Sequence, residues 1–101
     1  MKKIVVTVPV ADADRMRHAI GEVGGGRVGN YTFCSFSTRG IGRFMPEDGA
    51  HPAIGELGKL EEVEEERIEV TCGDGVVNDV VQAIRHNHPY EEPAIDIYTI
   101  A

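Results

Sequence analysis

Cysteine is scarce in this sequence. Cys34 and Cys72 are the two present, and two widely spaced thiols in a chain without an export signal read as reduced rather than as a disulfide framework. Basic residues are also in short supply, ten against seventeen acidic, for a formal net charge of −7. That balance repels a phosphate backbone unless the cations gather on one face. Arg15, Arg17, Arg27, Arg39, Arg43 and Arg67 are scattered, with no basic stripe interleaved with aromatics, so nucleic-acid binding is not expected. No apolar run approaches the roughly 20 residues of a membrane helix. The opening "MKKIVVTVPVADAD" is interrupted at Pro9 before a signal-peptide core is complete, and is read as a strand of a cytoplasmic protein. The 101 residues leave room for one modest core, hence a single domain over 1–101.

Alternating apolar residues are plentiful. In Lys3 to Val10 the side chains of Ile4, Val6, Val8 and Val10 share one face, and Val5 on the other is apolar too, the pattern of a central strand buried on both sides. Asp12 or Asp14 can cap a following helix with Met16, Ile20 and Val23 at helical spacing, ended by Gly24, Gly25 and Gly26. Val28 to Ser37 is rich in β-favouring residues and predicts the second strand. Thr38 to Leu60 holds Gly40, Gly42, Gly49, Gly55, Gly58, Pro46 and Pro52, so it reads mainly as turns, with room for a short extended piece at Arg43 to Met45. A loop that long in a small domain is either functional or conceals an element.

Glu61 to Glu66 is a charge run, expected to be a solvated strand end. The strand continues with Glu66, Ile68, Val70 and Cys72 on one face. Asp74 can cap a second helix whose Val76, Val77, Val80, Val81 and Ile84 form a buried stripe, and Ala94 to Ile100 is the last strand. The fold class is therefore α+β: a ferredoxin-like βαββαβ order, a four-stranded antiparallel sheet with two helices on one face. Val5, Tyr31 and Phe33 are left on the other face, an apolar surface that predicts oligomerisation.

The close, "RHNHPYEEPAIDIYTIA", places His86, His88, Tyr90, Glu91 and Glu92 between and beside Pro89 and Pro93. Each proline pushes its predecessor out of helical geometry, so the second helix stops near His86 and the segment is stiff. The expectation is that "HPYEEP" is structural first, with His88 serving the last turn of the helix as a cap and dipole partner. Any binding role is secondary.

"HNHPYEEPAIDIY" is similar to the closing segment of the CutA divalent-cation-tolerance proteins, and more so to the domain inserted in YqfO-type proteins, the Ngg-interacting-factor-three-like family. The second resemblance covers most of the chain. Val28 to Val70 resembles that insert in its G-N-Y, C-S-F, G-x-G-x-F-x-P, G-A-x-P and E-x-R-x-E signatures, in order. The resemblance implies a CutA-like or PII-like fold that assembles as trimers. It also implies a limit, because the dinuclear metal site of YqfO-type proteins lies in the flanking domain, which nothing in these 101 residues resembles. The chain looks like the insert living alone, and autonomous catalysis is not expected.

A metal site needs three or four converging ligands. Candidates are His88, Glu91 and Cys34, with Glu92 and His86 behind them, for a divalent ion; there is no C-x-x-C and no pair of histidines at helical i, i+4 spacing. The candidate ligand-binding residues are His88, Tyr90, Glu91, Glu92 and Tyr31. "GGGRVGNY" follows a helix and precedes a strand, the reverse of a phosphate loop, and reads as a C-cap and turn. Three functions stand. One is a small oligomeric binding or regulatory module that takes a small ligand or divalent ion in inter-subunit clefts lined by the long loop and "HPYEEP". Another is an interaction domain for a YqfO-type metal-dependent partner. The third is a small hydrolase that uses Cys34 or the closing cluster.

Overall fold

The computed structural model describes residues 1–100. Its strands are β1 (Lys2–Pro9), β2 (Phe36–Phe44), β3 (Glu61–Cys72) and β4 (Ile95–Thr99), and its helices are α1 (Ala13–Glu22) and α2 (Val77–Asn87). They form one antiparallel sheet in the order β2-β3-β1-β4. This is the expected ferredoxin-like arrangement, with β1 inside the sheet.

The core lies between the sheet and the helices. Ile4, Val6 and Val8 of β1 and Ile68, Val70 and Cys72 of β3 meet Met16 and Ile20 of α1 and Val80 and Ile84 of α2, all buried. These are the residues that the period-two and helical patterns single out. After α1, the amide of Gly25 donates to the Ile20 carbonyl and that of Gly26 to the Thr71 carbonyl. Gly24 and Gly26 have φ of +95° and +80°, a left-handed backbone that glycine adopts without the Cβ penalty. The triple glycine is therefore a helix stop that ties the turn to β3.

The second strand lies later than predicted. Val28 and Tyr31 form an isolated bridge, Phe33 turns to φ +59°, and pairing with β3 starts only at Phe36↔Glu69. It continues through Gly40 and Gly42 to Phe44↔Glu61, inside the stretch read as turns. Intrinsic preference loses here to cross-strand partners, since the acidic half of β3 needs opposite charges and Arg43 reaches Glu62 at 3.2 Å across the pair. The same pairing extends β3 beyond β1, whose register ends at Pro9↔Glu65. Residues 61–64 and their β2 partners project as a hairpin arm, and the molecule measures 46 × 23 × 23 Å.

Three further expectations are corrected. Asp12, Asp14 and Asp74 cap no helix through their side chains. Asp12 and Asp14 accept from Arg15 and Arg17, and Asp74 holds the N-terminal amine at 3.1 Å. The charge run is not wholly solvated, because Glu65 and Glu66 are buried; Glu66 accepts from Arg17 at 2.6 Å. Finally, the open sheet face is not a broad apolar surface. Val5 is buried between its register neighbours Glu69 and Asp96, and Tyr31 and Phe33 lie in the loop before β2, off the sheet. Among the described residues no helix is long and apolar enough to cross a membrane.

Candidate functional site

Pro89 does to His88 what its position predicts. The residue is extended (φ −85°, ψ 135°) and ends α2, its amide still donating to the Ile84 carbonyl. Its side chain does not cap the helix carbonyls. It is buried, with Nε2 2.7 Å from the Thr7 carbonyl oxygen and Nδ1 accepting from the Tyr90 amide at 3.1 Å. An Nδ1 that accepts leaves the proton on Nε2, so Nε2 donates to Thr7. The β1–β4 ladder ends at Val6↔Ile95, and the imidazole takes over one residue further along β1.

His88 thereby turns Tyr90 toward the hairpin arm. The phenol donates to Glu65 Oε2 at 2.8 Å, and its ring meets Phe44 edge-on at 5.4 Å between centroids. Burial first, and the Glu65 carboxylate second, push the Tyr90 pKa well above its ordinary value, so the hydroxyl remains a donor. Glu65 is 6% exposed and rests on Gly42, where an added Cβ would come within 2.2 Å of Oε1. The glycine is there because the carboxylate occupies the space of a side chain.

Above this floor the loop after β2 folds back, held by the His51 amide donating to Glu91 Oε1 at 2.8 Å. Loop and closing segment enclose a cavity of about 400 Å³ whose walls include Phe44, Ile54, Glu65, Tyr90, Glu91 and Glu92. That volume is in the range of small-molecule sites. Residues 89–92 bend, which brings the adjacent Glu91 and Glu92 to the same wall although a straight strand would send them to opposite faces.

Of the candidate residues, Tyr90, Glu91 and Glu92 line the cavity and His88 supports Tyr90 from behind. Tyr31 and Cys34 lie elsewhere. Tyr31 is 74% exposed, and the Cys34 amide donates to Gly26, which is bonded to Thr71 at the opposite end of β3 from Glu65. The set His88, Glu91 and Cys34 is thus not assembled within one chain, for metal or for thiol–imidazole chemistry. Among the described residues no three His, Cys, Asp or Glu side chains converge as metal ligands. Cys34 and Cys72 are unpaired; Cys72 is buried, which pushes its thiol pKa up, whereas Cys34 is only partly buried.

Gly42, Phe44 and Glu65 were not among the site candidates. A signal for them existed: Gly42, Phe44 and Pro46 belong to the G-x-G-x-F-x-P signature, Ala50 and Pro52 to G-A-x-P, and Glu65 opens E-x-R-x-E. All of them line the cavity, together with the closing motif.

No family model matches the chain. It is 48% identical over 99 residues to a GTP cyclohydrolase 1 type 2 homolog of Halalkalibacterium halodurans, covering 98% of this chain and 27% of that protein. It is 46% identical over 100 residues to the Bacillus subtilis protein of the same name, covering 99% of this chain and 27% of that one. This chain is a homologue of one segment of those proteins. A Bacillus cereus protein related to NIF3 superposes with a TM-score of 0.85 at 43% identity, over 98% of this chain and 25% of that one. The chain spans about a quarter of the relatives it matches. The periplasmic divalent cation tolerance protein CutA of Archaeoglobus fulgidus, at 20% identity, shares the fold with a TM-score of 0.71 over 99% of this chain and 84% of its own. The PII-like protein CutA of Nostoc does so at 16% identity, also with a TM-score of 0.71, over 99% and 81%. The segment is CutA/PII-like in fold.

Proposed function

We propose that this CutA/PII-like segment is a binding or regulatory module, a homotrimer in the cytoplasm, whose cavity between the 45–60 loop and the "HPYEEP" segment takes a small ligand. One observation carries this reading: four separated sequence signatures supply the walls of one cavity, and its floor is the buried Glu65 carboxylate hydrogen-bonded to the half-buried Tyr90. Cores avoid such a pair unless something repays the desolvation. An organic ligand suits a single chain better than a divalent ion, because no metal-ligand cluster converges among the described residues. The trimer follows from the resemblance to CutA-like and PII-like proteins and no longer from an apolar sheet face.

The cyclohydrolase named for the relatives is not proposed for this chain, which spans about a quarter of their length. That same partial coverage favours a second reading, an interaction domain that serves a metal-dependent partner of the YqfO type. A thermal-shift panel of nucleotides, amino acids, amines and divalent ions separates the two. The module reading expects at least one stabilising compound whose effect disappears in Ile54→Trp, a substitution that fills the cavity. A silent panel, or a shift untouched by that substitution, favours the interaction domain.

A further inference from the structure

The cavity has a chemical sign. Among the described residues Glu47, Glu65, Glu91 and Glu92 line it against a single cation, Arg43, and the Arg43 guanidinium is turned to Glu62 outside the walls. Acidic residues at a rim signify little by themselves, but Glu65 is not at the rim. It is 6% exposed, and its hydrogen bond among the described residues is the one that Oε2 accepts from Tyr90. Oε1 lies over Gly42, itself a wall residue, and receives no protein donor among them. Among the described residues no buried side-chain oxygen is left without a partner, so Oε1 is reached by solvent from the open space and can accept there from a donor outside the chain. The walls also include the apolar Phe44, Met45, Pro52 and Ile54, and the Phe44 and Tyr90 rings meet edge-on at 5.4 Å between centroids.

Resting on the reading of the cavity as a ligand site, we propose that its ligand is a small organic monocation, a primary ammonium on an apolar body. The ammonium donates to Glu65 Oε1 beside Tyr90. A charge-assisted hydrogen bond inside a partly desolvated space, with aromatic rings at hand, is where such a cation gains most over a neutral or anionic analogue. The apolar body lies against Phe44 and Ile54. A free carboxylate or phosphate on the ligand meets four glutamates and is excluded.

The test uses the full chain and four probes of matched size or simple charge: phenethylamine, phenethyl alcohol, hydrocinnamate and manganous ion. Calorimetry reads affinity, and the aromatic proton resonances of Phe44 read whether the probe enters the cavity. The expected result is saturable binding of phenethylamine that shifts Phe44, at least about tenfold tighter than the alcohol or the acid, with the advantage over the alcohol erased in Glu65→Gln. If the alcohol, hydrocinnamate or manganous ion shifts Phe44 as strongly as the amine at equal concentration, the cavity binds ligands but the assignment to ammonium is overturned. If no probe shifts Phe44, the assignment and the reading of the cavity fall together. The ranking on the unaltered protein decides the matter even where Glu65→Gln folds poorly; where that variant folds and keeps the amine's advantage, Glu65 is not the acceptor and the inference fails.

Discussion

The two ends of β3 use burial for opposite ends. From Ile68 to Cys72 every inward side chain is aliphatic or a thiol and packs on α1 and α2. Three residues earlier the buried group is Glu65, and its companions are Tyr90 and His88. Apolar burial stabilises in proportion to the area removed from water. Burial of a carboxylate, a phenol and an imidazole stabilises only as far as each polar atom is matched. The first end thus holds the fold, and the second holds a geometry.

The sharpest way to break this comparison is to damage the first end. Ile68→Ala removes a fully buried side chain and should cost about 2–5 kcal/mol in urea unfolding. A loss below about 1 kcal/mol would show that the helix-covered core is not where stability resides.

At the second end, His88→Ala deprives the Thr7 carbonyl and the Tyr90 amide of their partner. A stability loss of about 1–3 kcal/mol is expected, with the Tyr90 resonances displaced as well. A capping role in α2 predicts a similar loss, but with Tyr90 undisturbed, and so the two are distinguished by the spectrum rather than by the stability.

A smaller effect sharpens the role of the Tyr90–Glu65 pair. Burial raises the folded-state pKa of Tyr90 above the ordinary value of 10.0. The stability linked to it is complete below that value and is lost as pH rises from there toward the folded pKa, because the unfolded chain releases the proton first. Urea midpoints measured from pH 9 to 11, about one unit either side of the ordinary tyrosine value, should fall more steeply for the wild type than for Tyr90→Phe. Equal slopes would mean that the phenol is as solvated folded as unfolded.

The same contrast explains how much could be read from the sequence. Ile4, Val6, Val8, Met16, Ile20, Ile68, Val80 and Ile84 announce themselves by period, because the hydrophobic effect is nondirectional and leaves a repeating trace. The element order and the CutA/PII-like fold follow from them. The β2 strand was misplaced toward Val28–Ser37 because local preference favours Tyr31 and Phe33, whereas the strand is set by the partner that Glu61–Glu66 require. Glu65 was hidden for a related reason. Two buried glutamates, Glu65 and Glu66, at the end of a more exposed acidic run leave no periodic mark, and the place of Glu65 depends on Gly42 and Tyr90, both distant in sequence. The closing motif was visible as a dense patch, but its role required seeing that His88 bonds β1 rather than its own helix.

The central claim is that Gly42, Glu65 and Tyr90 are arranged for a ligand and not for stability, and Gly42→Ala tests it most directly. Its Cβ would come within 2.2 Å of the Glu65 carboxylate, the movable end of a flexible side chain, while the backbone is not in the left-handed region. The account predicts a change in stability of less than about 1 kcal/mol, together with loss of the thermal shift given by whichever panel compound stabilises the wild type. An undiminished shift in Gly42→Ala, with the fold intact, would contradict it.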